Sequence, residues 1–124
     1  MARGKLVIGS SYDNKGYDTG GLHGTSGQDT IYGLEGNDEL YGWEDDDKLY
    51  GGDYGNDTLY GYSGNDTLYG DDNNDFLFGQ DGMDILFGGG HDDYLNGGDY
   101  FWRPGNDSAD KLYGEAGNDT LDGW

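Results

Sequence analysis

The chain has 124 residues, one domain's worth, but sets 26 Asp and Glu against 6 Lys and Arg, a formal charge of −20, and only 32% of it is hydrophobic. That balance cannot bury an ordinary compact core and, taken alone, describes a disordered acidic segment. It disfavours nucleic acid and anionic membranes as partners, and the lack of cysteine excludes a disulfide framework and a cysteine-based zinc site, which leaves cations as the natural partners.

Residues 1–23 open on MARGKLVIGS, whose apolar run Leu6 to Ile8 is too short for a signal peptide or a membrane span. The reading for this stretch is a cap formed by Leu6, Val7 and Ile8 and a degenerate repeat, in which Gly16, Tyr17 and Asp18 imitate a turn and Leu22 supplies an inward apolar residue. From Gly24 to the end, residues 24–124 divide into ten nonapeptide-like units. GTSGQDTIY comes first, GYSGNDTLY starts at Gly61 and GEAGNDTLD at Gly114; the unit from Gly51 has one extra residue. The unit from Gly97 is interrupted at about residues 100–104 by Tyr100, Phe101, Trp102, Arg103 and Pro104.

The columns hold their register. Position 1 is always Gly, and position 8 is Ile31 once and Leu otherwise. Position 6 is Asp throughout, at Asp29, Asp38, Asp47, Asp57, Asp66, Asp75, Asp84, Asp93, Asp107 and Asp119, with Asp110 an alternative to Asp107. Position 4 is Gly except at Asp45, Asn73 and His91, residue types that tolerate left-handed backbone. Each unit therefore predicts a six-residue acidic turn and a three-residue strand carrying one apolar side chain. Such a strand is stable only when stacked on its neighbours, as in a solenoid.

With these columns the chain resembles the RTX (repeats-in-toxin) proteins, whose nonapeptide is GGxGxDxUx with U large and apolar; the resemblance runs over about residues 24–122. Position 2 departs from the pattern, being Gly only at Gly52, Gly89 and Gly98, which should loosen the turn. The resemblance implies an all-β fold, a right-handed parallel β-roll (a β-solenoid) with two short strands per 18-residue turn and about five turns. It also implies Ca2+ held between turns on the same side, shared by unit n and unit n+2. One such site would use Tyr62, Gly64 and Asp66 with Gly79, Asp81 and Asp84; another would use Thr25, Gly27 and Asp29 with Gly42, Glu44 and Asp47. Carried along the other units, the same scheme adds Gly36, Gly61, Ser63, Gly70, Asp72, Gly82, Gly88 and Gly90 as ligands.

The residue chemistry agrees. Calcium takes six to eight oxygens and mixes carboxylates with backbone carbonyls, whereas zinc or copper would want His or Cys, and only His23 and His91 are present. Ten units paired n with n+2 give 10 − 2 = 8 sites, and up to about eight Ca2+ would offset about 16 of the 20 net negative charges.

Position 9 is aromatic in eight units, at Tyr32, Tyr41, Tyr50, Tyr60, Tyr69, Phe78, Phe87 and Tyr113, and should form an outward ladder on each sheet. Such a ladder either stabilises a thin roll or presents a face to a glycan or a partner protein. No catalytic constellation is singled out, because the repeat already explains each Asp, and an EF-hand at Asp71, Asn73 and Asp75 fails at Phe76 and Gly82. The expectation is a non-enzymatic calcium-binding structural module, extracellular or on the cell surface by the resemblance, whose folding is coupled to several Ca2+ ions. The alternatives are an adhesin or assembly module working through the aromatic ladder, and a fragment or engineered excerpt of such a roll. The uncapped end at Asp122, Gly123 and Trp124 suggests a homodimer or capping partner there.

Overall fold

The structure, a computed structural model, describes residues 3–10, 12, 14, 21–98 and 109–123. Among them there is no helix, and hence none long and apolar enough to cross a membrane. Twelve strands follow in chain order: β1 Leu6–Ile8, β2 Leu22–His23, β3 Thr30–Tyr32, β4 Glu39–Glu44, β5 Lys48–Gly52 and β6 Thr58–Ser63, then β7 Thr67–Asp72, β8 Phe76–Asp81, β9 Ile85–Gly90, β10 Tyr94–Asn96, β11 Lys111–Ala116 and β12 Thr120–Asp122. Odd-numbered strands form one six-stranded sheet and even-numbered strands the other, each in the order of the chain and parallel throughout. This is the all-β parallel β-roll, with successive units alternating between two facing sheets.

The register puts like on like. Ile31 pairs with Leu49, Leu49 with Leu68 and Leu68 with Leu86 in the first sheet; Leu40, Leu59, Leu77 and Leu95 do the same in the second. These position-8 side chains, with Leu22, form a single core file, and from Ile31 to Leu95 they are wholly buried. Val7 of β1 and Leu112 of β11 pack against its ends.

Most central strands are longer than the three residues expected. They run from position 7 through the position-1 glycine to position 3 of the next unit, as β6 does, pairing Tyr62 with Gln80 and Ser63 with Asp81. Strand alternation therefore carries through the turn. Asp at position 6, Leu at position 8 and Gly at position 1 all face inward, while positions 7 and 9 face out.

On the outer faces the aromatic columns are real stacks. Tyr32, Tyr50, Tyr69, Phe87 and Tyr113 form a single file on the first sheet, with ring centroids 4.7–4.9 Å apart and planes within 10°. The second sheet carries His23, Tyr41, Tyr60 and Phe78 in file, widened by Trp43 and Tyr62, which stack on each other at 4.8 Å. Ring faces are thus spent on neighbouring rings, and mainly edges meet solvent.

Because each rung adds one leucine to the file, the cost of deleting one depends on its place. Leu68→Ala, fully buried, should cost about 2–5 kcal/mol. Leu121→Ala, where the side chain is 47% exposed, should cost under about 1 kcal/mol. Denaturant unfolding of the folded protein measures both, and equal losses would mean that the file is not the core.

Candidate metal centre

The loops between strands take their shape from left-handed residues at two places. Position 4 is left-handed at Gly36, Gly64 and Gly82, and also at Asp45, Asn73 and His91, with φ of 74°, 87° and 79°. These are the three substitutions that the sequence marks as tolerant. Position 2 is left-handed too, at Gly52 and Gly89 but equally at Leu34, Trp43, Tyr62, Asp71, Gln80 and Glu115. The turn is therefore kept rather than loosened, and the bulky residues carry the backbone cost, about 1–2 kcal/mol each.

Each position-6 aspartate turns its carboxylate inward, and one oxygen is spent on the neighbouring rung. The N–H of Asp29 donates to Oδ1 of Asp47 at 2.6 Å, that of Asp47 to Asp66 at 2.7 Å and that of Asp66 to Asp84 at 2.8 Å. On the other side Asp38 donates to Asp57 at 2.7 Å, Asp57 to Asp75 at 2.8 Å and Asp75 to Asp93 at 2.9 Å. Asp84 to Asp110 and Asp93 to Asp119 complete the eight n to n+2 pairs. At the N-terminal end Lys5 and Asn14 stand where further aspartates would, donating their N–H groups to Oδ1 of Asp29 and of Asp38. In the interrupted unit the alternative, Asp110, stands at position 6, directly preceding β11 and lying against Gly97. Asp107 itself lies outside the described residues, as do residues 100–104 and Trp124.

The second oxygen, Oδ2, lies over the α-carbon of its own unit's position-1 glycine. A β-carbon at Gly42, Gly51 or Gly70 would fall 2.5 Å from Oδ2 of Asp47, Asp57 or Asp75, so any side chain there collides with the carboxylate. In Asp47, Asp66, Asp75, Asp84 and Asp93 this Oδ2 is buried with no hydrogen-bond donor. Burial, opposed by the backbone N–H and reinforced by neighbouring carboxylates, pushes these acids up, to about 8 in Asp66 and Asp75, about 7 in Asp47 and Asp84, and about 6 in Asp93. At Asp29 the Oδ2 atom does have a donor, the Thr25 hydroxyl at 3.0 Å.

The other residues implied as ligands fall where consecutive loops of one side touch. Tyr62, Ser63 and Gly64 lie beside Gly79, Asp81 and Gly82, and the Gly64 N–H donates to the Asp81 carbonyl at 3.0 Å. Thr25 and Gly27 flank Asp29, whose rung meets that of Gly42, Glu44 and Asp47. Gly42 in turn meets Gly61, Gly70 meets Gly88, and Asp72 pairs with Gly90; the Gly36 N–H donates to the Tyr54 carbonyl. Among the described residues no group of three or more His, Cys, Asp or Glu side chains stands ready for a metal. Buried, donorless carboxylate oxygens are what a hard divalent cation would satisfy, so the residues present fit calcium.

Position 5 carries a second ladder that the column reading missed. The Asn37 side-chain oxygen accepts the Asn56 N–H at 2.7 Å, Asp46 that of Asn65, Asn65 that of Met83 and Asn74 that of Asp92. Here the side chain serves the following rung, whereas Asp at position 6 serves the preceding one. The recurrent Asn or Asp before the invariant Asp was the available signal.

The RTX calcium-binding nonapeptide repeat matches the chain four times, over residues 23–53, 52–83, 69–99 and 104–124. The chain belongs to this family. No significant match is found among curated proteins or among solved structures. An RTX repeat roll with aspartates raised this far makes a signed prediction. Without metal, the folded state binds more protons than the unfolded chain, whose carboxyls titrate near 4. Its stability is then full below about pH 4 and lost as pH rises through 6 to 8. In EDTA the far-UV β signal should grow on acidification; a signal that falls over the same range would contradict the raised values.

Proposed function

We propose that this RTX module is a structural element whose folding is coupled to calcium, one ion for each of the eight adjacent aspartate pairs. The observation that carries the reading is the run of buried Oδ2 atoms in Asp47, Asp66, Asp75, Asp84 and Asp93 that no protein donor reaches. An isolated buried carboxylate is costly, and proton or metal must neutralise it. At neutral pH a divalent cation does so while also taking the loop carbonyls, and its binding free energy becomes folding free energy. In this reading Asp66 with Asp84 and the carbonyls of Tyr62, Gly64, Gly79 and Asp81 hold one ion. Asp29 with Asp47 hold another, completed by Thr25, Gly27, Gly42 and Glu44. The ion supplies only charge and coordination. The chain supplies the left-handed turns that aim the carbonyls and the aspartate ladder that sets the rungs in register.

The module acts without catalysis, and the mutual stacking of its ladder rings supports a stabilising role for the aromatic columns. An extracellular or surface setting suits it, because millimolar calcium there saturates even weak sites.

Asp66→Asn separates the metal role from the structural one. Its amide oxygen can still accept the Asp47 N–H, while the charge and the second ligand oxygen are lost. In a calcium titration followed by circular dichroism, with EDTA and magnesium controls, the wild type should pass cooperatively from coil to β signal with calcium but not magnesium. Asp66→Asn should raise the calcium midpoint roughly threefold to tenfold, since ligand charge sets affinity. Asp122→Asn, outside the column, should not move it. A β signal indifferent to EDTA at neutral pH would sink the reading.

A further inference from the structure

Two irregularities of the repeat meet on the flank of the first sheet, and neither contributes a side chain to the calcium scheme. Position 2 of the second unit is Leu34, left-handed at φ 85° and still 44% exposed. An aliphatic residue there incurs a backbone cost that Gly52, one rung on, avoids, and packing recovers little of it. The fourth unit carries its extra residue beside it. Tyr54 is 65% exposed and joins neither aromatic ladder, yet its backbone is pinned by a parallel bridge to Glu35 and by the Gly36 N–H at 2.8 Å.

Leu34, Glu35, Gly52, Asp53 and Tyr54 line one cavity of about 360 Å³. Its walls are apolar at Leu34 and Tyr54, and Glu35 and Asp53 bring two carboxylates that no described lysine or arginine pairs with. The complement of such a cleft is a cation on an apolar stem. Of the two long cations, lysine combines a four-carbon stem with a compact charge, where arginine would want a bidentate, planar partner. We propose that this cleft receives a lysine side chain from an extended segment of a partner protein, its methylenes against Leu34 and the Tyr54 ring and its ammonium beside Glu35 and Asp53. Charge complementarity favours such a partner further, because a chain of net charge −20 draws a basic segment towards it.

The calcium scheme uses backbone carbonyls and position-6 carboxylates, so the cleft needs only a folded roll, which a dispersed amide spectrum in calcium verifies before any titration. The probe is a blocked Ala-Lys-Ala-Lys-Ala peptide added to the 15N-labelled full chain in calcium. Expected are saturable shifts centred on residues 34–36 and 52–55, absent with the lysine-acetylated peptide and weakened at least tenfold by Asp53→Asn or Leu34→Gly. Leu34→Gly should at the same time hold or raise the Tm, since glycine relieves the left-handed backbone. Shifts spread evenly over the acidic surface, equal binding of the acetylated peptide, or undiminished binding by Leu34→Gly would each overturn the proposal. A Tm that falls in Leu34→Gly would also overturn it, because Leu34 would then be structural.

Discussion

The roll hangs on one side chain, the aspartate that closes each loop. One of its oxygens takes the N–H of the preceding rung, and the other lies over the glycine of its own unit. Parallel rungs stand about 4.8 Å apart, and two unit charges about 5 Å apart at an effective dielectric of about 20 repel by about 3 kcal/mol. A net intramolecular hydrogen bond contributes about 1 kcal/mol. The aspartate ladder therefore fixes register but cannot offset the charge that it gathers, and that shortfall recurs wherever two loops stack. The invariant glycine follows from the same carboxylate, since a β-carbon would displace it.

Much of this was legible because the chain repeats. Asp29, Asp38 and their successors, with the Ile31 to Leu95 file two residues later, identify themselves by column, and Asp45, Asn73 and His91 declare the left-handed position 4 by type. What stayed hidden depends on what the columns meet across rungs. Strand alternation continuing through position 1 cannot be read from a glycine, which shows no preference for a face. Nor does a sequence show that Trp43 and Tyr62 accept left-handed backbone, because their mutual stack, a contact between residues 19 apart in sequence, helps to offset the strain. Asp110 could have been chosen over Asp107 from the Asp-x-Leu spacing alone, as Lys111 and Leu112 follow it directly.

The two Asx ladders give the stack a sense. Position 6 accepts from the rung before it, and position 5 presents its oxygen to the rung after it, so every interior loop is both held and holding. Met83 interrupts the second ladder without interrupting the first, since its own N–H is still taken by Asn65 while it offers no oxygen onward. The inner ladder thus runs the length of the described roll on both sides, whereas the outer one is unbroken on one side alone, from Asn37 through Asn56, Asn74 and Asp92 to Asn118. That ranking matches the columns, where position 6 never varies and position 5 does.

A solenoid contacts only its neighbours, so a cost borne at each rung is not diluted by adding rungs. In a globular domain a few buried charges can be carried by a large core; here the core grows by one leucine for every carboxylate added. The leucine file and the ring stacks carry no charge penalty and favour the same register at any pH, whereas the position-5 ladder adds charge of its own at Asp46 and Asp92. Whether a rung is stable is then decided by what neutralises its aspartate. Because each aspartate faces rungs on both sides, neutralising one lowers the cost of stacking the next. In the proposed reading, the sign of the rung energy, and with it the state of the whole roll, turns on calcium taken up in proportion to the rungs.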